Sequence, residues 1–285
     1  MKRFFAIFAL LSLVALVGCD DVKVGLRSDM YVMYYTSTDG NIVVPKADAF
    51  DANIISNTYK DGQGKIAFDI DITTIGEAAF FECSTLRSIT IPEGVTTIEY
   101  GAFYNCANLK EVTLPEGVAT IGKCAFCNCT ALHNVTIPAS VAFLGDYAFY
   151  GCERLESITI PNSVTLIGDW AFAYCTSLTS ITIPNGVTVM GDGVFYCCES
   201  LTNVSIPDSV TSIGDFAFYD CTSLKSVYCI AITPPTAIPD SSSRWDAFDS
   251  NASGRKIYVP AESVEAYKTA AYWSNYAADI VGYEF

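Results

Sequence analysis

The chain has 285 residues, is 51% hydrophobic and carries a formal net charge of −15. That length suffices for one or two domains with a sizeable core. The acidity argues against nucleic-acid binding and against binding to an anionic lipid surface, because both need clustered Lys and Arg to meet phosphates.

The first residues predict an export signal. Lys2 and Arg3 precede an apolar run at 4–17, too short to span a bilayer comfortably and typical of a signal-peptide core. The run ends in the stretch LVGC, which resembles a bacterial lipobox. We therefore expect 1–18 to be a lipoprotein signal peptide and Cys19 to be lipidated, with the body tethered by acyl chains alone. The alternative is an ordinary signal peptide that happens to end in cysteine.

Residues 19–72 lack a regular period and are expected to form a tether and an N-terminal cap. Near the end of this region, the stretch YKDGQGKIAF predicts a hairpin turn that leads into the first repeat.

A 23-residue repeat runs through 73–230, giving about seven coils. Each unit is too small to bury its own apolar side, so the units must stack. We expect the core of two neighbouring coils to be formed by Phe126, Cys129, Leu132, Phe149, Cys152 and Leu155. The phenylalanine column consists of Phe80, Phe103, Phe126, Phe149, Phe172, Phe195 and Phe218, and the cysteine column of Cys83, Cys106, Cys129, Cys152, Cys175, Cys198 and Cys221.

Each unit predicts one strand and one turn. The alternation at 157–160 indicates a half-buried strand that Pro161 ends. Gly168 and Asp169 then open a tight turn or a single helical turn, for which Asp is a natural N-cap. The fold class is therefore an α/β repeat solenoid of the leucine-rich-repeat type, with parallel short strands and N- and C-terminal caps.

Residues 231–285 are expected to form the C-terminal cap. Within them, 241–254 is predicted as a loop, 256–260 as a closing strand and 261–272 as a helix.

The unit A-F-x-x-C-x-x-L-x-x-I-x-I-P resembles the BspA-like leucine-rich-repeat family of surface proteins. The resemblance covers 73–230 and extends to the tail, at IYVPAESVEAYK. It implies a bacterial lipoprotein of the outer membrane, exposed at the cell surface, that adheres to host proteins or to other cells. Asp20 and Asp21 also resemble a surface-export signal. The resemblance carries no known binding residue onto this chain.

The stretch KCAFCNCTALH at 123–133 has the look of a metal clip, because it holds three cysteines and the only histidine. The repeat predicts otherwise. Cys129 belongs to the inward cysteine column, His133 to a surface column, and Cys127 to a column that should be partly exposed. We expect no metal site there, and free thiols along the cysteine column, because stacked side chains point in parallel. Cys124 and Cys127 are the pair best able to bridge.

An aspartate column at Asp146, Asp169, Asp192 and Asp215 has two interpretations. Stacked carboxylates could hold Ca²⁺, or they could cap the turns. We favour capping.

Function is expected to lie in binding, since no cofactor motif and no converging catalytic groups are found. The candidate binding surface is Tyr104, Tyr147, Tyr150, Trp170, Tyr196 and Tyr219, although these residues could simply seal the convex side. The hypothesis is a monomeric, non-enzymatic lipoprotein that adheres to proteins of host or neighbouring cells. The alternative is a glycan-binding accessory lipoprotein in nutrient capture.

Overall fold

The computed structural model describes residues 31–238 and 246–285. The expected signal peptide at 1–18 and the expected lipidation site, Cys19, lie outside the described residues. In the repeat region each coil runs through a strand of a main sheet, a short strand of a second sheet and a segment of tight turns, which we call the turn side.

The main sheet takes one parallel strand from each coil, and its pairing is interrupted once, between the third and fourth strands. Nine described strands form it: β5 (Leu86–Thr90), β7 (Glu111–Thr113), β9 (Asn134–Val135), β11 (Ser157–Thr159), β13 (Ser180–Thr182), β15 (Asn203–Ile206), β17 (Ser226–Cys229), β19 (Lys256–Pro260) and β20 (Ile280–Tyr283). As predicted, Ile158 and Ile160 are buried, whereas Ser157 and Thr159 are exposed.

The second sheet is a single parallel run of very short strands. Its members are β4 (Thr74–Ile75), β6 (Thr97–Ile98), β8 (Thr120–Ile121), β10 (Phe143–Leu144), β12 (Leu166–Ile167), β14 (Val189–Met190), β16 (Ser212–Gly214) and β18 (Thr236–Ile238). The parallel solenoid of the predicted leucine-rich-repeat type is thus confirmed.

An antiparallel sheet covers the N-terminal end. It contains β1 (Val32–Ser37), β2 (Ile54–Lys60) and β3 (Gln63–Phe68), and β1 pairs antiparallel with β5 of the first coil. Asp61 and Gly62 join β2 to β3 with φ of 51° and 83°, which is the predicted hairpin turn.

The C-terminal region continues the solenoid before it closes it. Ser226 pairs with Lys256 rather than with the residue 23 positions on, so this coil is longer than the others. Within the predicted loop, Phe248 stacks on Phe218 at 5.5 Å between ring centroids and extends the phenylalanine column.

The predicted strand at 256–260 is confirmed as β19, but the predicted helix at 261–272 is too long. A 3₁₀ turn (Ala261–Ser263) leads into α1 (Val264–Thr269), and a second 3₁₀ turn follows (Trp273–Tyr276). Helix α1 ends because Ala270 is extended, with ψ of 146°. No helix in the described part of the chain is long and apolar enough to cross a membrane.

The phenylalanine column forms the axis of the core. Consecutive rings from Phe80 to Phe248 stack with centroids 5.1–5.6 Å apart. Phe50 closes the column at the N-terminal end, and Trp273 and Tyr276 close it at the other. The structure places the six expected core residues, Phe126, Cys129, Leu132, Phe149, Cys152 and Leu155, in this core with no exposed surface.

Candidate functional site

In the described repeat coils, the turn side consists of tight turns with left-handed residues, and no α-helix or 3₁₀ helix lies there. In one coil Trp170 and Tyr174 have φ of 58° and 60°, and the N–H of Ala173 donates to the Trp170 carbonyl at 3.2 Å. The N–H groups of Trp170, Phe172 and Tyr174 donate to carbonyls of the next coil at 2.7–2.9 Å. These bonds between coils hold a backbone conformation that L-residues rarely adopt.

One left-handed position recurs in seven consecutive coils and carries large side chains in three of them. Only two of its seven residues are glycine, so the fold holds the others at a cost of about 1–2 kcal/mol each. The column consists of Ala78, Gly101, Cys124, Tyr147, Trp170, Gly193 and Phe216. The three aromatic side chains at this position are half-buried and pack on aromatic residues of the same or neighbouring coils.

Seven side chains join into one patch over four coils, which we call the aromatic surface: Tyr147, Tyr150, Trp170, Tyr174, Tyr196, Phe216 and Tyr219. Ring centroids of neighbours lie 5.1–6.5 Å apart. Tyr174 is the most exposed member, at 37%. Five of the six predicted surface residues therefore lie together.

Tyr104, the sixth, lies apart from the aromatic surface. It stacks on Phe81 with centroids 5.2 Å apart, and the coil between this pair and Tyr147 carries Cys124 and Cys127 in place of aromatic residues.

Sequence reasoning missed Tyr174 and Phe216. Phe216 shares a column with Tyr147 and Trp170, and that signal was present. Tyr174 gave no such signal, because its column otherwise holds Glu82, Asn105, Asn128, Gly151, Cys197 and Asp220.

A phenol with a raised pKa and a lysine–aspartate pair describe the electrostatics of the aromatic surface. Burial raises the pKa of Tyr196 to about 12, so its hydroxyl stays protonated at neutral pH. Lys123 Nζ lies 5.6 Å from the centre of the Tyr147 ring and 3.5 Å from Asp146 Oδ2. The surface thus offers apolar ring area with hydroxyl donors.

The aspartate column joins coils instead of capping helical turns. Oδ1 of Asp146, Asp169 and Asp192 accepts a hydrogen bond from the backbone N–H of the aspartate one coil on, at 2.9–3.2 Å. Asp215 accepts in the same way from Asp246 at 2.7 Å. The favoured N-capping role was wrong, because no helix follows these residues. Among the described residues, no group of three or more His, Cys, Asp or Glu is placed to hold a metal ion.

The cysteine and histidine side chains of 123–133 do not point toward a common metal site. Cys129 is fully buried, and its thiol donates to the Phe103 carbonyl at 3.1 Å, whereas His133 is exposed on the surface. Cys127 was expected to be partly exposed, and this was wrong: only 5% of it is exposed. The reason is its small size beside Tyr104 and Tyr150 of the adjoining coils, both close enough to interact with it electrostatically.

The cysteine column adds a second set of bonds between coils. All 11 described cysteines are free thiols, and six of the column donate to a phenylalanine carbonyl of the preceding coil at 3.0–3.3 Å. Burial raises the pKa of these thiols, for Cys175 to about 12.

The outer face of the main sheet, the strand face, is flat and polar. Exposed small side chains such as Thr159, Thr182 and Ser205 line it. At its C-terminal end lies an aromatic group that sequence reasoning missed: Tyr228 stacks on Tyr258 at 4.8 Å, with Tyr283 and Phe285 edge-on beside them.

A shallow groove of about 500 Å³ opens beside the interruption between β9 and β11. It is lined by Lys110, His133, Arg154, Glu156 and Ser177.

Comparison with known proteins gives consistent matches. A family model described as the BspA type leucine-rich repeat region matches residues 54–165 and 142–275, in six copies. No curated protein matches this chain.

Among solved structures, the chain is similar to a leucine-rich-repeat protein of T. pallidum, at 30% identity over 55% of this chain and 73% of that chain, with a TM-score of 0.52. It is also similar to a leucine-rich-repeat protein of Bacteroides ovatus, at 30% identity and a TM-score of 0.48, covering 71% of this chain and 61% of that chain. The chain therefore spans about three fifths of the length of the B. ovatus protein. The pneumococcal vaccine antigen PcpA matches at 18% identity over 70% of this chain and 68% of that chain, with a TM-score of 0.41.

Proposed function

Because this chain belongs to the BspA-type leucine-rich-repeat family, whose repeats are in general non-catalytic scaffolds that bind proteins and are typically found at bacterial surfaces, we propose that it is a non-enzymatic adhesin. It is exported, anchored through lipid on Cys19 and displayed at the outer surface. Its partners are proteins of host or neighbouring cells. Incorporation of a labelled fatty acid that is lost in a Cys19→Ala chain tests the anchor.

The aromatic surface is the observation that carries the proposal. Tyr and Trp dominate the binding energy of protein interfaces, where they combine large apolar area with a polar tip. Here their rings lie side by side over four coils, half-buried and already ordered by their neighbours, so binding costs little side-chain entropy.

Ring orientation favours a protein over a sugar at this surface. Sugars stack on open ring faces, but Tyr147 lies parallel to Trp170 within 8°, and Tyr196 lies parallel to Tyr219 within 6°. Those faces are turned toward one another. Ring edges and hydroxyls remain for a partner, which suits the mixed contacts of a protein interface.

The glycan alternative has its own observation, at the end of the strand face. Tyr283 and Phe285 are 43% and 55% exposed there, beside the row of Ser and Thr hydroxyls. A sugar chain lying along the strand face from β13 to β20 would form hydrogen bonds with the Ser and Thr hydroxyls and would stack on the aromatic rings at the C-terminal end.

Adhesion of beads coated with the full chain to host cells tests both candidates. We expect the double variant Trp170→Ala/Tyr196→Ala to reduce adhesion at least tenfold, because each ring is a central member of the aromatic surface. The matched control, Ser180→Ala/Thr182→Ala, changes the strand face of β13 in the adjoining part of the molecule and should adhere like the parent. Circular dichroism verifies that both variants are folded.

Treatment of the host cells decides between the ligand classes. Prior proteolysis should abolish adhesion, whereas prior removal of surface glycans should leave it intact. Adhesion that survives proteolysis but is lost with the glycans, or in a Tyr283→Ala chain, would refute protein binding and support the glycan alternative.

A further inference from the structure

We infer that Cys124 and Cys127 form a redox-active dithiol that closes to a disulfide when the folded chain meets a low-molecular-weight disulfide such as oxidised glutathione. This inference is independent of the adhesive function proposed above. It concerns a pair of thiols outside the cysteine column, on the turn side of a single coil.

The backbone brings the two residues within bridging range. The N–H of Cys127 donates to the Cys124 carbonyl at 3.1 Å, so the pair occupies the first and last positions of a tight turn. Such a turn keeps its terminal Cα atoms within about 7 Å, which overlaps the range of about 4.4–6.8 Å found in disulfides.

The two thiols are also close enough to affect one another. Beyond the effect of burial, Cys127 favours the thiolate of Cys124 and lowers its pKa, and Cys124 raises the pKa of Cys127. Six of the seven column cysteines instead donate to a phenylalanine carbonyl of the preceding coil, as Cys129 does to Phe103.

The two thiols differ in access, which sets their order of reaction. Cys124 is partly exposed, whereas Cys127 is buried beneath the turn side. Burial holds the pKa of Cys124 above its ordinary value, whereas Lys123 and the neighbouring Cys127 act in the opposite direction and favour its thiolate. Cys124 is therefore the attacking group.

The exchange balances without a further reagent. The Cys124 thiolate attacks one sulfur of the external disulfide, which forms a mixed disulfide and releases one external thiol. The Cys127 sulfur, as its proton leaves, attacks Cys124 and releases the second external thiol. The two protons lost by the cysteines end on the two released thiols, and the protein is oxidised by two electrons.

Differential alkylation of the full chain tests the pair. The reduced, folded protein is incubated with oxidised glutathione and denatured, and its free thiols are then blocked with one alkylating reagent. After reduction a second reagent labels the newly released thiols. We expect the second label on Cys124 and Cys127 alone, and an oxidised mass lower by two hydrogen atoms with no glutathione attached. A final product that keeps glutathione on Cys124, or second label spread over column cysteines such as Cys129 and Cys152, would overturn the inference.

Two variants separate the roles of the thiols. Cys127→Ser removes the resolving thiol, so Cys124 should retain glutathione as a stable mixed disulfide. Cys197→Ser is the matched control, because Cys197 is another buried thiol outside the column and its sulfur donates to Asp220 at 3.4 Å. The bond between Cys124 and Cys127 should form unchanged in that chain. If Cys127→Ser fails to fold, the oxidised parent chain is digested instead. A peptide in which Cys124 and Cys127 are joined by a disulfide supports the inference, and its absence overturns it.

Discussion

At the scale of single residues, the large side chains at left-handed positions distinguish this solenoid. Trp170 has φ of 58°, and its ring covers the place where a Cβ on Gly193 of the next coil would stand, 2.5 Å from the nearest ring atom. The glycine one coil on is thus what allows the indole to lie flat on the turn side.

The pair of Trp170 and Gly193 gives the first prediction. Gly193→Ala should push the indole outward and shift the tryptophan emission to longer wavelength, because an added methyl group overlaps the ring. The matched control is Gly101→Ala, which has nearly the same φ, 59°, but meets only Tyr104 Cβ at an ordinary 3.6 Å. Both variants carry the same backbone strain of about 1 kcal/mol. An unshifted spectrum for Gly193→Ala would contradict the packing described.

Sequence reasoning succeeded for residues whose role is repeated in every coil. Phe126, Cys129 and Leu132 recur with the period, and a period reports what all coils share. It failed for Cys127 and Tyr174, because their environment depends on which residues the adjoining coils carry at the same position. The left-handed positions were equally hidden, since they are held by hydrogen bonds between coils and carry residues as different as Gly101 and Trp170.

At the scale of elements, two columns of side chains bind one coil to the next. Each aspartate accepts from the backbone of the following coil, and six of the seven column thiols donate to the backbone of the preceding one. The aspartates thus pair with backbone N–H groups and the thiols with backbone carbonyls that lie outside the strands of the two sheets. The aspartate was expected at a helix N-terminus because Gly-Asp before an apolar pair is locally a helix start; the bonds across coils override that local preference.

The cysteine column makes stability sensitive to alkaline pH. Below the ordinary thiol pKa of 9.0, Cys175 is protonated in both the folded and the unfolded chain and contributes no pH dependence. Above 9.0 the unfolded chain releases this proton while the folded chain keeps it, up to about 12. The unfolded state then binds fewer protons, so the free energy of unfolding falls as the pH rises.

Each such thiol should lower the free energy of unfolding by about 1.4 kcal/mol per pH unit within that window. We expect Cys175→Ala to be less stable at pH 7 but to lose stability more gradually between pH 9 and pH 11, by about that slope. Denaturant titrations at a series of pH values measure it. Parallel pH profiles for the parent and the variant would contradict burial of the thiol as the cause.

Elements outside the repeat were predicted unevenly. The hairpin of β2 and β3 and the strand β19 have local signals, a two-residue Asp-Gly turn and an alternating run, and both were found. The continuation of the phenylalanine column to Phe248 was missed, because the lengthened coil shifts it out of the 23-residue period. The predicted helix at 261–272 was longer than α1, because no residue near Thr269 signals the end of a helix.

At the scale of the whole molecule, strand pairing in the described repeat coils joins each coil only to its neighbours. Stability should then be close to a sum over coils and the interfaces between them. Deletion of 164–186 removes one complete period, including β12 and β13, and brings Val187 to the position of Val164.

This deletion should give a folded chain that unfolds cooperatively, with a urea m-value lower by roughly a tenth, because less surface is exposed on unfolding. Deletion of 164–175 is the matched control. It removes β12 and a turn segment but keeps β13, so the two sheets can no longer stay in register, and we expect loss of the cooperative transition. If the chain lacking 164–186 failed to fold, the coils would not be interchangeable.

The sealed ends of the phenylalanine column also have an evolutionary consequence. Phe50 at one end, and Trp273 with Tyr276 at the other, come from segments outside the regular repeat, so the closing residues do not depend on how many coils lie between them. A tandem duplication of one 23-codon unit would lengthen the molecule by one strand spacing, about 4.8 Å, without creating a new open end. Descendants of such a gene can therefore differ in length by copy number alone, while their capping segments stay under unchanged selection.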